Sequence, residues 1–105
     1  MARYVVATPD LYRQIDALLP AERTGPVPSR HDFLAYVLPV IMGRFASDWD
    51  ALPERFAGRA TYREVITVGV LVPYVAVLGQ MTGSGVVELV EIEIDLEGLP
   101  DPGDD

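Results

Sequence analysis

Residues 62–95 read "YREVITVGVLVPYVAVLGQMTGSGVVELVEIEID", and the period of this stretch decides the fold. From residue 61 onward the spacing of apolar residues changes from helical to strand-like. Three strands are predicted: "YREVITVGV" (62–70), "PYVAVLGQ" (73–80) and "VVELVEIEID" (86–95). "MTGSG" separates the last two and supplies the glycines of a hairpin loop. The middle strand is apolar on both faces, as a central strand covered on either side requires. The last one alternates, so Val90, Ile92 and Ile94 are expected on one face and Glu91, Glu93 and Asp95 on the other.

Working back from there, "RYVVA" (3–7) reads as a short strand and "TPDLYRQIDALLP" (8–20) as a helix. Thr8 is the expected N-cap, with Pro9 at the first helical position and Asp10 in the first turn. Leu11, Ile15 and Leu18 form its apolar stripe, and Pro20 ends it. "AERTGPVPSRH" (21–31) is a loop by composition. Asp32 is the expected cap of a second helix, "FLAYVLPVIMGRF" (33–45), which Pro39 should kink or split because proline removes a backbone donor and crowds the preceding turn. "SDWDALPERF" (47–56) reads as one more short helical stretch, capped by Ser47 and closed near Pro53. The expected order is β-α-α-β-β-β: an α+β domain with a mainly antiparallel sheet and its helices packed on one face. The domain should cover residues 1–97, followed by an acidic Pro/Gly tail at 98–105, expected to be flexible.

Composition narrows the function classes. The 105 residues suit one modest core, and half of them are hydrophobic. With 8 arginines, no lysine and 16 acids the net charge is −8, which disfavours nonspecific contact with nucleic acid or an anionic membrane. Absence of cysteine excludes disulfides, thiolate metal sites and cysteine nucleophiles. The N-terminal text has no signal-peptide pattern, and the longest apolar stretch spans 13 residues against the roughly 20 a bilayer requires. A cytoplasmic protein without cofactor is the expectation.

Two charged groupings are candidate sites. Glu91, Glu93 and Asp95 lie about 6.6–6.8 Å apart along one strand face, too far apart to cage a hard cation without ligands from elsewhere. A solvated face that discourages edge pairing is the simpler reading, and no metal site is expected. Arg55, Arg59 and Arg63 in "ERFAGRATYRE" (54–64) are the one cluster of cations in an acidic chain. Either they pair with Glu54, Glu64 or the acidic row, or they form an anion site with Tyr62 and Tyr74 beside them. His31 next to Asp32 is a weak catalytic signal, and no serine stands in a nucleophile context. Apolar residues occur nearly all round the 33–45 helix. Phe33, Tyr36, Val37, Val40, Ile41 and Trp49 are therefore candidates for an interface with a second copy or another protein.

The order of elements and two pieces of text resemble the RelE/ParE family of bacterial toxin–antitoxin toxins. "RYVVATPDLYRQIDALLP" is similar to the family's opening strand and helix, and "GRATYREVITVGVLVPYVAVLGQMTGSGVVELVEIEID" to its succession of three strands. The resemblance implies a small cytoplasmic protein that binds an antitoxin segment along its sheet or helices. RelE-type members cleave messenger RNA on the ribosome, and ParE-type members poison gyrase. In the nuclease branch, basic residues and a tyrosine on the sheet act on the phosphate; here only Arg59, Arg63 and Tyr74 match. Where the family commonly offers a histidine or arginine on the final strand, this chain has Glu91, Glu93 and Asp95. The expectation is a toxin–antitoxin-like component that acts by protein–protein contact with an antitoxin, gyrase or ribosome-type target. A non-toxic homo-oligomeric binding protein, a homodimer in the simplest case, is the alternative. A messenger-RNA endonuclease is the second.

Overall fold

A computed structural model describes residues 3–97; the acidic tail expected at 98–105 lies outside the described residues. Among them the order is β1 (Val5–Ala7), α1 (Pro9–Leu18), α2 (Arg30–Tyr36), α3 (Leu38–Asp48), a 3-10 turn (Trp49–Ala51), β2 (Tyr62–Val70), β3 (Val72–Met81) and β4 (Val87–Asp95). The strands form one mixed sheet in the order β1-β4-β3-β2. β2, β3 and β4 make an antiparallel meander, and β1 joins β4 in parallel. This is the α+β arrangement that the change of period implies.

Each helix begins where local chemistry provides for it. Thr8 caps α1, its hydroxyl accepting from Leu11 N–H at 3.2 Å, and Pro9 occupies the first turn. Leu11 and Ile15 are buried as the stripe requires, but Leu19 completes it in place of Leu18, which is exposed. Pro39 splits the second predicted helix into α2 and α3, with Val37 as the hinge between them. The proline has no N–H to offer the preceding turn. Ser47 lies inside α3 rather than capping a new helix, so "SDWDALPERF" is the end of α3 plus a single 3-10 turn.

Ser29 is the cap of α2, in place of the expected Asp32. Its hydroxyl accepts from Asp32 N–H while the Asp32 carboxylate accepts from Ser29 N–H, both at 3.1 Å, a reciprocal capping box. That backbone bond, joined by Arg23, lowers the Asp32 pKa below its ordinary value. A carboxylate with a depressed folded pKa adds stability that is complete above its unfolded value and is lost as pH falls through the folded one. The wild type should therefore lose stability below about pH 4. Asp32→Asn should be less stable near neutrality and show a smaller acid loss, read by thermal melts from pH 7 to 2.5; equal acid losses would remove the box as a cause.

All three helices cover one face of the sheet. Leu11, Ile15, Phe33, Ile41 and Phe45 meet Val65, Val75, Val77, Val87, Leu89 and Ile92 in one core. Each such side chain contributes about 1.5–3 kcal/mol when fully buried. Gly79 lies directly beneath Phe45, where a Cβ would stand 2.5 Å from the ring's Cε1. Among the described residues the opposite face of the sheet carries no helix.

The pairing of β3 with β4 contains one irregularity. Leu78 is opposite Glu91 and Gly79 opposite Leu89, so Val90 is an extra residue, a β-bulge. The bulge changes the phase of the strand. Before it the odd residues Val87 and Leu89 face the helices; after it the even residue Ile92 does. Glu88 therefore shares the helix-free face with Glu91, Glu93 and Asp95, and Val90 marks the slip instead of sharing a regular face with Ile92 and Ile94.

Candidate functional site

The helix-free face is the surface that this architecture leaves open. Cross-strand register sets four rows on it, each running from β2 through β3 to β4. Val68, Tyr74 and Asp95 form the first row; Ile66, Ala76 and Glu93 the second; Glu64, Leu78 and Glu91 the third; Tyr62, Gln80 and Glu88 the fourth. The β4 end of every row is thus acidic, and the β2 end of two rows is aliphatic. Ile66 is 41% and Val68 70% exposed, unusually open for aliphatic side chains on a sheet. In the middle, Ala76 and Leu78 are small or low-lying and buried.

Consequently the face is concave. A trough of about 360 Å³ runs over Ala76 and Leu78, with Arg55 and Glu64 on one side, Glu91 and Glu93 on the other, and Gln14 at the β4 end. Three carboxylates and one guanidinium line it. That guanidinium is already engaged, since Arg55 Nε lies 3.3 Å from Glu64 Oε2. Arg55 reaches the trough because residues 54–55 run antiparallel to the start of β2, with Arg55 N–H donating to Tyr62 O and Glu64 N–H to Pro53 O. The trough's net negative charge is therefore carried by β4.

The predicted arginine cluster is divided three ways. Arg55 stands at the trough. Arg63 points to the helical side, stacks 5.6 Å from the Trp49 ring, and donates to the carbonyls of Ala60, Asp50 and Leu52 at 3.0–3.2 Å. It ties the 3-10 turn to β2. Arg59 sits exposed on the intervening loop and has no ion-pair partner among the described residues. Tyr62 packs edge-on against Phe56 at 5.6 Å, and Tyr74 is half-buried in the first row. None of the three arginines reaches the acidic row.

The predicted interface is likewise divided. Phe33, Val37, Ile41 and Trp49 are buried in the chain's own core, as i, i+4 spacing continued through the hinge directs them inward. Tyr36 and Val40, at 64% and 52% exposed, are the two of the six that face solvent. Asp32 contacts Ser29 and Arg23, and His31 beside it is exposed and takes no part. Among the described residues no three His, Asp or Glu side chains are placed to hold a metal ion. None of their helices is long and apolar enough to cross a membrane.

Sequence reasoning did not single out Gln14, Ile66, Val68, Ala76 or Leu78. A signal existed for β2: "EVITV" puts Ile66 and Val68 on the same face as Glu64, which is a polar neighbourhood for two aliphatic groups. No protein-family model, curated protein or solved structure matches this chain.

Proposed function

We propose that the chain is a toxin–antitoxin-like component, of the RelE/ParE kind, that acts by protein–protein contact and not by catalysis. The observation that carries this reading is the uncovered sheet face, where Ile66 and Val68 stand exposed beside a trough over Ala76 and Leu78. Contiguous exposed apolar surface rimmed by polar groups is the usual mark of a docking site. Nuclease chemistry has less support. Arg55 is neutralised by Glu64, Arg63 holds backbone carbonyls on the far side, and the acidic row would repel a phosphate backbone.

Growth of a bacterial host during induced expression tests this reading. Wild type is expected to arrest growth, and Ile66→Thr/Val68→Thr to relieve the arrest, since threonine keeps the strand preference while removing apolar contact. Arrest that survives this change but disappears in Arg59→Ala would move the action to the 53–61 loop and favour the endonuclease. Healthy growth with wild-type protein present in soluble form would overturn the toxin reading in that host.

A further inference from the structure

We propose that the helix-free face receives a cationic amphipathic α-helix from another protein, laid along β3 with its basic residues over β4 and its apolar residues over β2. The proposal rests on the docking role given to this face above and names the chemistry of the partner.

Dimensions favour a helix over the sheet. β2 and β4 are two strand spacings apart, about 9.4–9.8 Å, while an α-helix with its side chains is about 10–12 Å across. A helix above β3 therefore touches both flanks, and the low centre at Ala76 and Leu78 gives its backbone room. An extended strand added to the β2 edge beyond Glu64, past the part that residues 53–55 already pair with, would lie about 14 Å from β4, beyond easy reach of an arginine toward Glu93. Edge addition would use the backbone but leave the acidic row without a partner.

Spacing fits as well. Glu91, Glu93 and Asp95 repeat every 6.6–6.8 Å or so along β4, and residues i, i+4 and i+8 of a helix repeat every 6 Å or so. One basic stripe on the helix can therefore follow the three carboxylates. The neighbouring apolar stripe then falls on Ile66, Val68 and Tyr74, which share rows with Glu93 and Asp95. Four rows span roughly 20 Å, equal to a helix of about 14 residues.

Charge decides the occupant. A second copy would bring another −8 and oppose acid with acid; a nucleic acid or an anionic membrane would be repelled for the same reason. A basic helix is attracted by the whole chain and guided by the row. Exposed ion pairs are weak individually, so the acids set orientation and approach while the aliphatic groups supply most of the affinity.

The test uses three 16-residue synthetic peptides: one with arginine at i, i+4 and i+8 beside a leucine stripe, a scrambled peptide of the same composition, and one with glutamate for each arginine. Fluorescence anisotropy with the full chain is expected to show saturable binding of the patterned peptide only, weakening as salt rises. Backbone amide shifts should cluster on β2, β3 and β4. Glu91→Gln/Glu93→Gln/Asp95→Asn and Ile66→Thr/Val68→Thr should each weaken binding by about 10-fold, equivalent to about 1.4 kcal/mol. Equal binding of the scrambled peptide, or undiminished binding to the carboxamide variant, would overturn the proposal. So would a dimer in sedimentation that Ile66→Thr/Val68→Thr dissolves, because the face would then belong to a second copy. Peptide binding without growth arrest removes the toxin reading alone; arrest relieved by Ile66→Thr/Val68→Thr without peptide binding removes the cationic helix alone.

Discussion

Gly79→Ala is expected to lower the stability of the chain by about 2 kcal/mol, enough to move a melting midpoint by roughly 8–15 °C in a domain of this size. The new Cβ would stand 2.5 Å from Cε1 of Phe45 and 3.0 Å from its Cδ1 and Cζ. Such separations are well inside contact distance, so the ring must move. It has nowhere to go, because Phe45 is fully buried and tilted against Trp49 at a centroid distance of 6.2 Å. A backbone-entropy gain of about 0.5–1 kcal/mol from replacing glycine in a strand offsets part of the strain but not all of it. A double-mutant cycle isolates the cause. In a Phe45→Leu background the shorter side chain leaves room, so adding Gly79→Ala should cost little, with a coupling of about 1–2 kcal/mol. Equal penalties in both backgrounds would mean that the ring is not the obstacle.

Gly79 also illustrates what could be read from the text. A glycine inside "VPYVAVLGQM" signals close approach of another group, but nothing in the sequence says which group approaches. The ring comes from Phe45, across the helix–sheet interface, and only the packed structure pairs them. Local signals translated well: Thr8 and Pro9 open α1, Pro39 divides α2 from α3, and β2 has the bounds its alternation gives. Those signals depend on a few adjacent residues. The capping box shows the limit of that, since Ser29 and Asp32 share the role and a single-residue rule found one of them.

The candidate site was less legible because its parts lie on five separate segments: α1, the loop before β2, and the three strands of the meander. Arg55, Arg59 and Arg63 look like a cluster in sequence, but residues alternate across a strand and a turn intervenes, so adjacency in the chain sent them to three places. The acidic row fared better, being on one strand. Its phase relative to the core was also written in the sequence, as the adjacent apolar pair Leu89–Val90 in a strand that otherwise alternates. A strict period of two places Val90 with Ile92 and Ile94; the bulge absorbs Val90 and brings Glu88 round to the outer face.

Gln14→Leu should destabilise the chain by about 2–3 kcal/mol, because it strands two backbone groups next to that bulge. β1 pairs with β4 only as far as Ala7 opposite Leu89. There Thr8 turns the chain into α1, its N–H and hydroxyl both donating to Leu89 O at 3.2 and 2.8 Å. Beyond that point, among the described residues, the edge of β4 has no strand beside it, and Gln14 takes over. Its Nε2 donates to Val90 O at 2.9 Å and its Oε1 accepts from Ile92 N–H at 3.0 Å, so one side-chain amide does the work of a peptide group. Leucine matches the size and supplies neither bond, while still shielding the edge from water.

Gln14→Glu separates the electrostatic part of this effect. The introduced carboxylate can accept from Ile92 but cannot donate to Val90 O, and it sits where Nε2 is now 3.0 Å from Asp10 Oδ2. That neighbour raises the pKa of the introduced carboxyl in the folded state, and a raised folded pKa means that the penalty relative to wild type shrinks as pH falls through it. Chemical denaturation at pH 7 and pH 4.5 reads the difference, and amide exchange at Ile92 should accelerate in Gln14→Leu and less in Gln14→Glu, which keeps the acceptor for that N–H. The same bonds have a consequence for the open face. β4 keeps Glu91, Glu93 and Asp95 outward only while the bulge stays at Val90, because a one-residue slip would turn all three toward the core. If Gln14 fixes that register, Gln14→Leu should weaken binding of the arginine-patterned helix even where the protein remains folded. Unchanged binding alongside fast Ile92 exchange would show that β3 pairing alone holds the row in place.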